Sequence, residues 1–336
     1  MENDRRIHSH RPMEHPHFLA NKLSRDTSLT WHAGSAGTLR IFRHIHAHMK
    51  TLITPLLIGL ANCCTAEVLR PIPEPIVDTF SFASFYEKCV MVGRFPVVAS
   101  DKVDDAALAE AALLVRSMLT GREDILNAMA KNKVRLSVMA TTERTTDLPE
   151  HSDLTPADFW NRRARGLGAT HERPAVSCAE ENVLCLSGDP YPTENIMVHE
   201  FAHAIHEMGL KTIDPSFDRR LRETYQAALK AGKWKNCYAA ENHHEYWAEA
   251  VQSWFGTNRE NDAIHNHVNT RKELQAYDPA LAELCIEVFG DNSWTYRRAD
   301  DPTRSGEAHL KNLDRSKLPR FEWSESEKKA NLGKAD

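Results

Sequence analysis

Two histidines four residues apart with a glutamate beside the first, His199-Glu200-Phe201-Ala202-His203, supply the chemistry to which the rest of the sequence must answer. On a helix, residues i and i+4 stand on one face, so His199 and His203 can offer imidazole nitrogens to a single zinc ion. A carboxylate at Glu200, next to the first ligand, can take a proton from a metal-bound water and later give it to a leaving amine. Met197, Phe201, Ala204, Ile205 and Met208 form an apolar stripe at helical spacing, and Gly209 reads as the stop. The pentapeptide is short enough to recur in proteins that bind no metal, so a third ligand has to be found. A metzincin would carry it within the same helix segment, but His206 and Gly209 stand where that pattern needs glycine and histidine. The third ligand must come from farther along the chain.

The elements that would position such a ligand follow from pattern. The 336 residues are 41% hydrophobic and 26% charged, enough for a sizeable core. A net charge of -5 gives no reason to expect nucleic acid or an anionic membrane as partner. Short strands are expected at Val97-Val98-Ala99, at Val134 to Val138 as a half-buried strand, and at Val183 to Leu186. Helices are expected from Asp104 to Leu119, from Glu123 to Asn132, from Thr155-Pro156 to Gly166, and from Asp214-Pro215 to Lys230. A further helix runs through Glu241 to Phe255 and another from Asp278-Pro279 to Phe289, while residues 67–78 read as an extended, proline-rich lead-in. The pattern is that of a mixed α/β lobe, 67–180, feeding a mostly helical one, 181–300, in one domain. Residues 301–336 read as a charged flexible tail.

Glu241, Glu245 and Glu249 would share one helical face, and Tyr246, Trp247, Val251, Trp254 and Phe255 make that helix too apolar to stand free in solvent. Buried carboxylates need partners, and a zinc ion or a ligating histidine would provide them. With these residues in view the chain resembles the zinc metallopeptidases similar to the catalytic domain of anthrax lethal factor, of gluzincin type. The likeness rests on His199 to His203, on Glu245-Tyr-Trp-Ala-Glu249, and on Tyr238 seven residues before Glu245. It implies a zincin-like α+β fold: a small mixed sheet lobe and a mostly helical lobe, with the metal site on the His-Glu-x-x-His helix between them. It implies one Zn2+ per chain held by His199, His203 and Glu245, with Glu200 as general base. Tyr238 would be the oxyanion donor and Glu249 a carboxylate orienting a ligating histidine. Val134 to Pro149 would be the edge strand for an extended peptide. His206, on the ligand face, is expected to line the cleft or support a ligand.

Upstream, residues 1–48 are histidine-rich and lack apolar periodicity, and read as a non-native or disordered extension. Met49-Lys50, the apolar run Thr51 to Leu60 and the small residues to Ala66 read as a signal peptide of a secreted protein; lipid attachment at Cys63 is the lesser alternative. Of the five cysteines after Ala66, Cys178 and Cys185 could close a loop, or all five could be free thiols. The expected function is a secreted metalloendopeptidase acting on peptide or protein substrates, since no acidic motif suited to gripping a free amine is present. The alternative is a catalytically silent zincin-fold binding protein at the cell surface.

Overall fold

The computed structural model describes residues 67–330. The extension, the signal-peptide segment 49–66 and Cys63 lie outside the described residues. None of the described helices is long and apolar enough to cross a membrane.

Four strands, β1 (Lys88–Val92), β2 (Phe95–Ala99), β3 (Arg135–Met139) and β4 (Ala175–Ala179), form one sheet in that order. β1 and β2 are antiparallel, and β2, β3 and β4 run parallel. The hairpin turns on Gly93-Arg94, and Gly93 takes φ +60°, the left-handed value that a two-residue hairpin loop demands. The helices in chain order are α1 (Glu74–Phe80), α2 (Asp105–Met118), α3 (Glu123–Lys131), α4 (Ala157–Arg163) and the short turn α5 (Glu180–Val183). They continue as α6 (Ile196–Ala204), α7 (Lys211–Ile213), α8 (Phe217–Lys230), α9 (His243–Phe255), α10 (Arg271–Tyr277), α11 (Pro279–Phe289) and α12 (Glu325–Lys329).

β3 corrects the expectation of a half-buried strand at the sheet edge. It lies between β2 and β4, and all five of its residues are buried. Strands covered on both faces lose the in-out alternation of polarity. The polar residues of β3 do not meet solvent. Ser137 Oγ lies 2.8 Å from the Tyr86 hydroxyl, and Arg135 pairs with Glu150 at 3.0 Å beneath Phe82. The lead-in expected to be extended contains α1, and the small apolar cluster of Ile72, Phe80, Phe82 and Tyr86 against Cys89, Val98 and Met139 covers that face. Helices α2, α3 and α6 cover the other through the main core.

Two further segments differ from expectation. Val183 to Leu186 is not a strand but the end of a helical turn, and the strand is Ala175–Ala179 just before it; short apolar runs do not separate the two states. The tail expected to be flexible is built onto the domain as far as Ala330. Arg304 donates to both Glu110 carboxylate oxygens at 2.8 Å, and the Phe321 ring packs under the Arg165 guanidinium at 4.2 Å. It has few apolar side chains because paired charges and cation–π stacks bury it. The five described cysteines are free thiols.

His151, 1% exposed in the turn Pro149–His151, gives the domain an acid sensitivity. Burial, helped by the charge of Arg173, lowers its pKa to about 4. The folded ring stays neutral where an unfolded one binds a proton, so its contribution is complete above about pH 6.5 and is lost progressively toward pH 4. That loss is expected to be on the order of 3 kcal/mol. Urea midpoints at pH 7 and pH 4.5 check it: His151→Leu should flatten the difference, and an unchanged difference would place the acid sensitivity elsewhere.

Candidate metal centre

The helix that carries His199 and His203, α6, is launched by Asn195, whose side chain caps it by accepting from the Val198 amide at 3.1 Å. It does not stop at Gly209. After Ala204 the chain passes through a π-helical turn, Ile205–Leu210, into α7. Gly209 serves close packing instead: a Cβ there would lie 2.7 Å from Ile125 Cγ2. The facing helix, α9, starts two residues later than expected, capped by Asn242, which accepts from the amides of His244 and Glu245. Glu241 therefore lies outside it, and the inward face is Glu245, Glu249 and Gln252. Trp247 fastens the two helices, its buried indole N–H donating to the Ala202 carbonyl at 2.9 Å.

The fold brings His199, His203 and Glu245 together, with one donor atom of each within 4.8 Å of the others. His199 Nε2 is 2.9 Å from Glu245 Oε2 and 3.2 Å from His203 Nε2, and His203 Nε2 is 3.5 Å from Glu245 Oε1. On the other side of its ring, His199 Nδ1 meets Gln252 Oε1 at 2.8 Å. The Gln252 amide nitrogen faces Glu194 Oε2 and the Asn195 carbonyl, both acceptors, which fixes the oxygen toward His199. Nδ1–H is thus donated to Gln252, and in the neutral ring the lone pair is on Nε2, pointing into the trio.

The electrostatics call for positive charge at this point. Burial alone would depress His199, but the hydrogen bond to Glu245 and the charges of Glu245, Glu200 and Glu249 raise its pKa to about 10. Burial would likewise push the Glu245 carboxyl up, yet His203 and His199 hold it well below the usual range. Two imidazole nitrogens and a carboxylate are the donor set of a catalytic zinc with a position left open. His203 is the most exposed of the three, with 15% of its side chain accessible, so the approach to the site is on its side.

Glu200 is buried beside the trio, and burial raises its pKa above the ordinary carboxylate range. Its outer wall is the segment 166–168, bridged to β4 at Ser177. A Cβ on Gly166 would stand 2.7 Å from Ile196 Cγ2 and 2.9 Å from the Ser177 carbonyl, and one on Gly168 would stand 3.0 Å from His203 Cβ. These glycines let the backbone come up to Glu200 and His203. Tyr238, in a short turn before α9, sets its ring 6.2 Å from that of His199, and burial keeps its hydroxyl protonated well above the usual pKa. Glu249 Oε1 stands 3.7 Å from His199 Nδ1, while its other oxygen takes Asn258 at 2.9 Å and His265 at 3.4 Å. His206 faces Asp218, Glu207 and His244 rather than the trio. Gln252 and Gly168 have no site role in the sequence reading and Gly166 stands there only as the end of a helix, which closes earlier at Arg163; the i+7 step from Glu245 and the Gly-x-Gly spacing are the signals that point to them.

No protein-family model matches the chain, and no curated protein does. Among solved structures, it is similar to the PRO-PRO endopeptidase (PPEP-2) from Paenibacillus alvei at 17% identity, over 57% of this chain and 96% of that one, with a TM-score of 0.34. That overlap is too slight for shared chemistry to follow from it.

Proposed function

We propose that the protein is a secreted zinc-dependent metalloendopeptidase. The observation that carries this reading is the convergence of His199 Nε2, His203 Nε2 and the Glu245 carboxylate on one point beside the buried Glu200. His199, His203 and Glu245 would hold the ion. When bound, zinc polarises a peptide carbonyl and lowers the pKa of water in its coordination sphere.

The remaining work falls to the chain. Glu200 accepts the proton of the attacking water and returns it to the departing amine, a carboxylate suited to both by its raised affinity for protons. Tyr238 keeps its O–H and can donate to the oxygen that becomes negative as the carbonyl is attacked. Gln252 fixes the His199 tautomer, and Glu249, held by Asn258 and His265, adds negative charge behind it. The reading of 49–66 as a signal peptide supports secretion.

The test is zinc content together with cleavage of a mixed peptide library. Internal cleavage should be lost to a chelator and restored by zinc. Zinc without any cleavage would favour a silent binding protein, and cleavage indifferent to chelator would overturn the reading.

A further inference from the structure

We infer that the same pair of helices carries a second divalent-metal site, of the zinc class, formed by His206 Nδ1, Glu207 Oε1 and His244 Nδ1. One possible donor atom of each residue lies within 4.8 Å of the others. Glu207 Oε1 stands 3.4 Å from His206 Nδ1 and 3.1 Å from His244 Nδ1. None of these residues belongs to the trio proposed for catalysis.

The tautomer of His206 carries the inference. Its ring is fully buried, and Nε2 meets Asp218 Oδ1 at 3.1 Å. A carboxylate only accepts, so Nε2 bears the proton, and Arg222 holds Asp218 in place at 2.8 Å. The buried Nδ1 is then a bare lone pair without a hydrogen-bond partner among the described residues, aimed at a carboxylate oxygen 3.4 Å away. Two acceptors that face each other out of water repel unless a cation stands between them. A second proton on His206 would also relieve the contact, but it would bury a charge on the ring.

A carboxylate that accepts from one nitrogen of a histidine whose other nitrogen is turned to the metal is the arrangement that fixes ligand orientation in metal sites. Lys211 holds the remaining oxygen of Glu207 at 2.8 Å, leaving Oε1 to face the histidines. Glu207 and His244 have 26% and 28% of their side chains exposed, so an ion can enter from solvent and keep water on its open side. Two imidazoles and one carboxylate favour zinc and its neighbours over calcium or magnesium, which take all-oxygen shells.

The test counts zinc bound to the full chain after loading and desalting, read as differences between variants because the histidine-rich residues 1–48 can bind zinc as well. His244→Gln and Glu207→Gln, both at partly exposed positions and checked for folding by circular dichroism, should each hold one equivalent fewer than the wild type. His199→Ala/His203→Ala should also hold one fewer, and combining it with His244→Gln should remove two. An unchanged count in both His244→Gln and Glu207→Gln would overturn the second site and leave a protonated His206 network. An unchanged count in His199→Ala/His203→Ala alone would sink the proposed catalytic centre and leave this inference standing.

Discussion

Glu200→Gln is expected to cut turnover by between about 10²- and 10⁴-fold while leaving the bound zinc count and KM close to wild type. The amide keeps the size of the carboxylate but cannot take up or return a proton. Glu200 is outside the ligand trio, so the ion should stay. The buried position makes the effect large, because no solvent base has easy access to replace it. Metal content and steady-state cleavage of one defined peptide decide the matter. Turnover within about tenfold of wild type would mean that the base is another group.

The largest stability effect is expected at Arg165. Its guanidinium is fully buried, bound to Glu181 through Nε at 2.6 Å and Nη2 at 3.0 Å, and it donates to the Glu143 carbonyl at 2.6 Å. Arg165→Met would leave Glu181 charged and unpaired in a dry interior, which costs about 3–5 kcal/mol. For a domain of this size the melting temperature should fall by roughly 10 °C. Replacing both partners, Arg165→Met with Glu181→Leu, should recover much of the loss, because the desolvation cost of the pair goes with it. A single variant that melts with the wild type would show that the pair does not hold this region together. Activity should fall with stability in the single variant, since Gly166 follows Arg165 directly and forms the wall against Glu200.

What could be read in the sequence was local. His199, Glu200 and His203 lie within one helical turn, so their geometry follows from spacing alone. The carboxylates Glu241, Glu245 and Glu249 stand out because an apolar helix must give them partners, and the family resemblance picks Glu245 among them. The bounds of that helix were not legible: Asn242 caps it, which moves the inward face from Glu241 to Gln252. The surroundings of the site are set by long-range packing that no local pattern encodes. Ser137 and Arg135 look like surface residues of a strand, yet both are buried, because chain segments far away in sequence cover them. Gly209 looked like a helix stop because glycine often is one; here it is needed for contact with α3. The charged C-terminal segment misled for a related reason. Composition counts charges, and it does not show that Arg304 and Glu110 neutralise each other across the fold.

The clasp between Trp247 and Ala202 has a mechanical consequence. It joins α6 and α9 into a single unit, and spreading them would expose a buried indole and break its hydrogen bond. The backbone from Gly166 onward is fixed separately: it is bridged to β4 at Ser177 and ends in an exposed turn at His171 and Glu172 that Thr170 and Arg173 close and Asp153 ties down through Arg173 at 2.7 Å, so both sides of the trio keep their shape.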